Sequence, residues 1–165
     1  MSAAARRRLL VMDVDSTLIA GEQIDLLAAH AGAAEQVAEI TERAMRGEID
    51  FESSLRERVA TLAGLPVETL DVVRSQIAFT PGALDLIAAC AERGWPVGLV
   101  SGGFHEIVDP LVADLGLIRV LANRLEADDG ALTGRVEGPV VDRAAKARFL
   151  RELADAVGVP LADTV

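Results

Sequence analysis

Two carboxylates near the start of the chain, Asp13 and Asp15, have the type and spacing that most directly suggest chemistry. They follow the apolar run 9–12, and a spacing of two puts them ~6.6 Å apart along an extended backbone, where both can point to the same side. Two ionised carboxylates so close repel each other by roughly 2–3 kcal/mol at an effective dielectric constant of 20. We therefore expect either a bound cation beside the pair or a proton on one of its members.

Both outcomes are useful for phosphoryl transfer. A metal-held carboxylate can attack phosphorus, and a protonated neighbour can give its proton to the leaving alkoxide. The pair could instead simply end a strand and shape a turn. A glycosyltransferase-type D-x-D site, which holds a metal–nucleotide complex, is a further alternative, but it explains neither the glycines at 102–103 nor the helical insertion described below.

Two other features suggest that an anion binds nearby. Ser101, Gly102 and Gly103 follow a second apolar run, where glycines allow a ligand close to the backbone and a helix start favours negative charge. The alternative is an ordinary strand-to-helix turn. Lys146 is the only lysine among 16 cations and lies near the start of a predicted helix, which is the unfavourable end for a cation. It could balance an anion outside the helix, or it could be a solvated surface lysine.

Continuous apolar runs predict the elements that position these residues. The runs 9–12 and 95–100 indicate strands covered on both faces, as in parallel α/β sheets. Thr80 as N-cap and Pro81 at the first helical position predict a helix that ends at Gly94. Strand, helix and strand then form a parallel crossover unit, and ligands of such sheets bind outside the carboxyl ends of the strands.

The segment between the first strand and that helix, about 20–78, is predicted to be helical, with glycines where the helices stop. Asp129-Gly130 predicts a hairpin turn within 123–136, Asp142 caps a last helix that ends near Gly158, and 161–165 resemble the approach to another strand. The fold class is thus α/β, with a Rossmann-like parallel sheet. We predict a core of 1–20 and 79–165, a helical cap of 21–78, and a β-hairpin flap at about 123–138.

Composition limits the classes of function and location. The net charge of −10 over 165 residues argues against broad electrostatic binding to nucleic acid. A single cysteine, Cys90, excludes an internal disulfide framework, and we predict it to be a small core residue. No apolar run has the ~20 residues of a membrane span, and no signal peptide is recognisable. We therefore predict a cytoplasmic protein without nucleic-acid or membrane partners. His105, which follows the Ser101 loop, is predicted to be exposed.

Taken together, the motifs resemble a known family. Residues 13–18, Asp-Val-Asp-Ser-Thr-Leu, resemble the first motif of the haloacid dehalogenase superfamily, and Ser101-Gly102-Gly103 resembles its second motif. From about residue 8 to the last residue, the chain more narrowly resembles the phosphoserine phosphatase family. The matching stretches are Asp13 to Ile19, Glu22 to Leu26, Ala44 to Gly47, Asp50-Phe51, Leu55 to Arg58, Val100 to Phe104, Ala122 to Leu125 and Leu132 to Gly134.

The resemblance implies hydrolysis of O-phospho-L-serine to serine and phosphate, the last step of serine biosynthesis. By resemblance, Asp13 is the nucleophile that forms an aspartyl-phosphate. Asp15 protonates the leaving seryl oxygen and then activates water. Ser101, Gly102 and Gly103 would bind the phosphate, and Lys146 would neutralise it.

The resemblance also implies how the substrate and a metal ion are held. Glu22 would meet the substrate ammonium and Arg58 its carboxylate, while Met45 and Phe51 pack around its side chain. An arginine can bind a carboxylate through two parallel hydrogen bonds, which suits this task. The family's metal is Mg²⁺, held by the Asp13 carboxylate and the Asp15 backbone carbonyl.

One departure from the family pattern concerns the carboxyl end. A third motif, G-D-G-x-N-D, completes the family's magnesium site and would follow Val165. We therefore expect the chain to be part of a longer phosphatase, to lack C-terminal strands and helices, and to be inactive by itself. An unpaired strand edge could join another chain, so a homodimer is possible. The alternatives are a related phosphatase or phosphotransferase acting on another small phosphate ester, and a non-catalytic truncated remnant.

Overall fold

A computed structural model describes residues 7–165, so residues 1–6 of the predicted core lie outside the described part. Within it the strands are β1 (Leu10–Met12), β2 (Val97–Phe104), β3 (Arg119–Asp128) and β4 (Ala131–Glu137). The helices are α1 (Gln23–His30), α2 (Ala34–Met45), α3 (Phe51–Ala60), α4 (Thr69–Gln76), α5 (Ala83–Glu92), α6 (His105–Val112) and α7 (Arg143–Val157). A tight turn at Val14–Leu18 and a single helical turn at Leu161–Asp163 complete the elements.

The four strands form one sheet in the order β1-β2-β3-β4, parallel except for the antiparallel pair β3–β4. Thr164 pairs with Leu9 in parallel on the free side of β1, and the Val165 N–H donates to the Leu9 carbonyl at 2.9 Å. The expected approach to another strand is thus present. The predicted α/β class with a parallel, Rossmann-like sheet is confirmed.

Helices cover both faces of the parallel strands, which is why the strand sequences are continuously apolar. On one face, Leu99 of β2 packs in a cluster with Ile87 and the buried Cys90 of α5. On the other face, Val100 packs with Phe149 of α7. The carboxyl ends of β1 and β2 therefore lie side by side, and Asp13 and Ser101 are brought to the same edge of the sheet.

Helices α1–α4 occupy the segment that was predicted as a cap. The chain leaves and re-enters the sheet layer through a short antiparallel ribbon, in which Ile19 pairs with Phe79 and the Ala20 N–H donates to the Ala78 carbonyl at 2.9 Å. The apolar faces of these helices share one cluster with the hairpin residues Leu125 and Leu132. The hairpin also pairs with the cap through Pro66 and Ala131, so cap and hairpin are joined by packing and by backbone bonds.

One predicted boundary was wrong, and one strand extends beyond its predicted hairpin. The helix expected to start at Pro81 starts at Ala83, because Gly82 adopts φ +83° and this left-handed residue makes 80–82 a turn. The hairpin turn at Asp129-Gly130 is confirmed, with φ +48° and +79°. Its first strand nevertheless begins at Arg119, because residues 119–121 also pair with β2. The hairpin is thus a continuation of the sheet.

None of the helices within residues 7–165 combines the length and the apolar character that a membrane crossing requires.

Candidate active site

A cavity of about 160 Å³ lies between the carboxyl edge of the sheet and the cap. Its wall combines acidic, basic, apolar and glycine residues from both parts of the fold. The lining residues are Asp13, Asp15, Glu22, Ile24, Phe51, Leu55, Arg58, Gly102, Gly103, Phe104 and Lys146. Most residues predicted to do chemistry are therefore brought to one place.

Asp13 and Asp15 both reach the cavity, although not along one straight strand as expected. Asp13 ends the extended segment, and its Oδ1 accepts the Val14 N–H at 2.8 Å. Ser16 then adopts φ +54°, which turns the chain sharply back on itself. The prediction that the two carboxylates share a side is confirmed, but a tight turn achieves it.

The Asp13 carboxylate pairs with the Lys146 ammonium, since Lys146 Nζ donates to Asp13 Oδ2. The Asp13 and Lys146 side chains retain 40% and 31% of their exposure, so both face the cavity. Asp142 caps α7 and directs its first turn toward the sheet edge, with Asp142 Oδ1 accepting the Ala145 N–H at 2.7 Å. Lys146 thus balances an anion outside its own helix, as the sequence suggested.

The Asp15 carboxylate is more enclosed than that of Asp13 and is held by three donors. Asp15 Oδ1 accepts from the Gln23 N–H and from Gln23 Nε2, both at 3.0 Å, and Oδ2 accepts from Ser101 Oγ at 3.2 Å. Burial raises the pKa of Asp15, the bonds from Gln23 and Ser101 lower it, and the charge of Glu22 raises it, with a net increase. This carboxyl group therefore holds a proton more readily than an exposed aspartate does.

The glycines of β2 allow the sheet edge to approach Asp15. A Cβ on Gly103 would lie 2.6 Å from Asp15 Oδ2 and 2.2 Å from Gln23 Nε2, so no other residue fits without rearrangement. The strand continues to Phe104 and α6 starts at His105, which is later than the predicted start directly after the glycines. Within this extended end of the strand, the Gly103 N–H donates to Ser101 Oγ at 2.8 Å.

The cap contributes one anion and one cation to the opposite wall. Glu22 accepts from Ser16 Oγ at 2.6 Å, and Arg58 Nε donates to the Ser54 carbonyl at 3.3 Å. Burial lowers the pKa of Arg58, while the neighbouring carboxylates oppose that shift. A guanidinium remains charged under these conditions. Together the two walls can accommodate a ligand that carries a phosphate and both charges of an amino acid.

Comparison with known proteins agrees with this arrangement. A sequence model of the haloacid dehalogenase-like hydrolases matches residues 10–165. The chain belongs to the haloacid dehalogenase-like hydrolases.

Within that family the chain is similar to phosphoserine phosphatases. It is 57% identical over 159 residues to the phosphoserine phosphatase of Streptomyces coelicolor, covering 96% of this chain and 39% of that protein. It is 52% identical over 157 residues to that of Streptococcus thermophilus, covering 95% and 73%. A solved structure of a phospho-aspartyl intermediate analogue of phosphoserine phosphatase superposes with a TM-score of 0.89 at 43% identity, covering 96% of this chain and 76% of that one. The hydrolase thus spans about two fifths of the first relative's length.

Two predicted site residues, Ser101 and Met45, do not line the cavity. Ser101 is fully buried, and its Oγ donates to Asp15 Oδ2 and accepts the Gly103 N–H. Met45, at the end of α2, has 84% of its surface exposed and is not part of the cavity wall. Its expected packing around a substrate stays a prediction. The apolar wall is formed instead by Phe51 of the cap together with Ile24, Leu55 and Phe104.

Sequence reasoning missed two buried amides that contact the site. Gln23 holds Asp15, and Gln23 Oε1 also accepts the Phe104 N–H at 3.1 Å. Asn123 Nδ2 donates to the Gly102 carbonyl at 2.8 Å. Both lie inside stretches that match the family, 22–26 and 122–125, and that match was the available signal.

The prediction that His105 is exposed was wrong. Its side chain retains only 12% of its exposure. His105 Nε2 accepts the Ala122 N–H at 3.0 Å, and Nδ1 lies 2.8 Å from Asp109 Oδ1. Because Nε2 is the acceptor, Nδ1 carries the proton and donates to Asp109. The residue joins α6 to β3 and does not line the cavity.

The oxygen atoms at this edge have the chemistry that Mg²⁺ prefers. Mg²⁺ is usually held by one or two carboxylates, with waters and substrate phosphate completing its shell. Asp13 offers a half-exposed carboxylate and Asp15 a backbone carbonyl in the same turn. Within residues 7–165, no three His, Cys, Asp or Glu side chains are grouped as a metal cluster. The fit to Mg²⁺ rests on the Asp13 carboxylate and the Asp15 carbonyl, with waters and substrate oxygens as the remaining ligands.

Proposed function

We propose that this hydrolase removes the phosphate group from O-phospho-L-serine, giving L-serine and inorganic phosphate. The observation that carries the proposal is the single cavity in which Asp13 and Lys146 face Glu22 and Arg58. The similarity to proteins named phosphoserine phosphatase supports the substrate. The reaction would be the last step of serine biosynthesis, and a cytoplasmic location and a homodimer remain predictions.

In the first step, Asp13 would attack phosphorus through a carboxylate oxygen. The new bond joins that oxygen to phosphorus, and the bond from phosphorus to the seryl oxygen breaks. The superposed phosphoserine phosphatase structure is an analogue of a phospho-aspartyl intermediate, and its similarity to this chain supports the same route here. Lys146 lies against Asp13 and would stabilise the negative charge that passes to the phosphoryl oxygens.

Asp15 would supply the proton that the leaving seryl oxygen needs. Its pKa is raised by burial, so it takes up a proton more readily than an exposed aspartate, which suits a general acid. After serine has left, the Asp15 carboxylate would take a proton from the water that attacks the aspartyl-phosphate. The new bond joins the water oxygen to phosphorus, the bond from phosphorus to the Asp13 oxygen breaks, and inorganic phosphate leaves. The bonds from Gln23 and Ser101 keep the carboxylate in place during both steps.

A magnesium ion would be held by the Asp13 carboxylate and the Asp15 backbone carbonyl. When bound, it would neutralise charge on the transferring phosphoryl group. Treating the full-length protein with a chelator should abolish phosphate release, and adding Mg²⁺ should restore it. Full activity in the chelator would contradict the proposed magnesium dependence.

The substrate is tested with a panel of phosphate esters and the full-length protein. Phosphoethanolamine lacks the carboxylate of phosphoserine, and the phosphate ester of 3-hydroxypropionate lacks the ammonium group. We expect phosphoserine to have a kcat/KM at least about tenfold above each, because each analogue leaves one charged side chain of the cavity unpaired. Equal kcat/KM values across the panel would instead favour a phosphatase of broad specificity.

A further inference from the structure

We propose that Asn123 is a positioning residue that fixes the spacing between the two elements of the phosphate site. These elements are the Gly102–Gly103 end of β2 and the amino end of α7, which carries Lys146. The inference rests on the proposed function, since it concerns how the same cavity binds the phosphate group.

Asn123 connects two segments that are distant in the sequence. Its side chain lies on β3 and is only 1% exposed. Asn123 Nδ2 donates to the Gly102 carbonyl at 2.8 Å, and Asn123 Oδ1 accepts the Val141 N–H at 2.8 Å. One amide group thus bonds to the strand before it and to the loop after it.

On one side, the bond determines where α7 starts. Val141 immediately precedes Asp142, the capping residue whose side chain accepts the Ala145 N–H. The Asp142 carbonyl accepts the Lys146 N–H at 2.9 Å. A displacement of Val141 would therefore be transmitted through this first turn to the ammonium group beside Asp13.

On the other side, the bond orients the peptide between Gly102 and Gly103. The carbonyl of that peptide points to Asn123, and its N–H donates to Ser101 Oγ at 2.8 Å. Both glycines line the cavity. Because the N–H of this peptide is engaged by Ser101, the bond from Asn123 acts on the phosphate site through the position of the strand end and not through that donor.

The residue type supports a role for both bonds. A buried amide is costly unless its donor and its acceptor are both satisfied. A leucine has a similar shape but would satisfy neither partner, and an aspartate would direct an oxygen at the Gly102 carbonyl oxygen. Asparagine is the side chain of this size that meets one acceptor and one donor.

The test measures equilibrium binding of inorganic phosphate to the full-length protein by ³¹P NMR titration. Asn123→Leu, which is neutral and nearly isosteric, should raise the phosphate dissociation constant by about tenfold, the change for loss of one or two well-placed bonds. The control is Val112→Ala, a buried substitution between α6 and the sheet that does not touch the cavity. It should lower the thermal midpoint but leave the phosphate dissociation constant within about twofold.

A double-mutant cycle with Lys146→Met separates positioning from general weakening of the fold. If Asn123 acts by placing Lys146 relative to Gly102, Asn123→Leu should change phosphate binding less than about threefold once Lys146 is absent. An equal effect in both backgrounds would overturn the inference, and so would equal losses in Asn123→Leu and Val112→Ala. If Asn123→Leu does not fold, Asn123→Ser, which leaves room for a water molecule, allows the same comparison.

The outcomes also separate this inference from the proposed function. If the unmodified protein does not bind phosphate, the proposed function fails. If it binds phosphate and Asn123→Leu binds it equally well, only the role of Asn123 fails.

Discussion

The two walls of the cavity differ in how firmly their side chains are held. On the sheet side, Asp15 has three donors and Asp13 pairs with Lys146. On the cap side, Phe51 is 45% exposed and Glu22 is also exposed. The groups that would meet the reacting phosphate are thus oriented in advance, whereas those that would meet the rest of the substrate are more open to solvent. Substitutions on the sheet side should therefore reduce turnover of every substrate, and those on the cap side should change discrimination between substrates.

The largest effect is expected on the sheet side for Asp13→Asn. Replacing a carboxylate oxygen by an amide removes the attacking group, so kcat for phosphoserine should fall by about 10⁴-fold or more. The measurement is phosphate release by the full-length protein. The control is Asp71→Asn on the exposed surface of α4, which should retain normal turnover. Near-normal turnover of Asp13→Asn would remove Asp13 as the nucleophile.

The next effect in size is expected for Lys146→Met. Loss of one charged group beside the phosphate should lower kcat/KM by about 10²–10³-fold, and to a similar extent for all phosphate esters. Arg148→Met removes a cation from an exposed position of the same helix and should have little effect. A loss confined to phosphoserine would contradict the assignment of Lys146 to the phosphate wall.

The cap side predicts a selective effect for Arg58→Ala. We expect KM for phosphoserine to rise by about 10–100-fold, which corresponds to a charge-assisted bond of about 1.5–3 kcal/mol. KM for phosphoethanolamine, which lacks the carboxylate, should change much less. The matched control is Arg56→Ala on the same helix, because Arg56 pairs with the exposed Glu52 and does not line the cavity. Equal increases for both substrates would exclude Arg58 from carboxylate recognition.

The smallest effect concerns stability. It tests whether enclosing the charged Asp15 carboxylate on the sheet side destabilises the folded protein. Because burial raises the pKa of Asp15, the folded state binds a proton at this group more tightly than the unfolded state. The stability of the protein should therefore fall as the pH rises above the ordinary aspartate pKa of about 3.9. Asp15→Asn, which is uncharged, should raise the thermal midpoint at pH 7, because the enclosed group no longer carries a charge.

The pH dependence of that difference provides the check. In thermal scans, the advantage of Asp15→Asn should shrink as the pH is lowered from 7 toward 4, because the carboxyl group of the parent becomes protonated. A difference that stays constant over this range would mean that the charge of Asp15 is not its cause. Asp128→Asn, in the exposed end of β3, is the control for the amide substitution itself.

Much of the fold could be predicted from local patterns because those patterns reflect burial directly. The apolar runs at 9–12 and 95–100 indicated parallel strands, and both are covered by helices on two faces. The turn at Asp129-Gly130 follows from the left-handed backbone that both residues adopt. The start of α5 was placed wrongly because a local N-cap signal at Thr80 competes with the left-handed Gly82, and only the folded backbone shows which prevails.

For the site, residue types and order were enough to nominate Asp13, Asp15, Ser101 and Lys146, because a carboxylate pair, a glycine turn and a single lysine are visible in the sequence itself. Their meeting depends on sheet topology, which brings residues 133 positions apart into contact. The contributions of Gln23 and Asn123 could not be assigned from residue types for the same reason, although both residues lie in stretches that match the family. An amide is equally common at the surface, and its function arises from partners that only the folded chain supplies. The chemical groups of the site are properties of single side chains, so the sequence by itself was enough to infer them. The distances between these groups, their burial and their hydrogen-bond partners depend on long-range packing, so only the tertiary structure decided them.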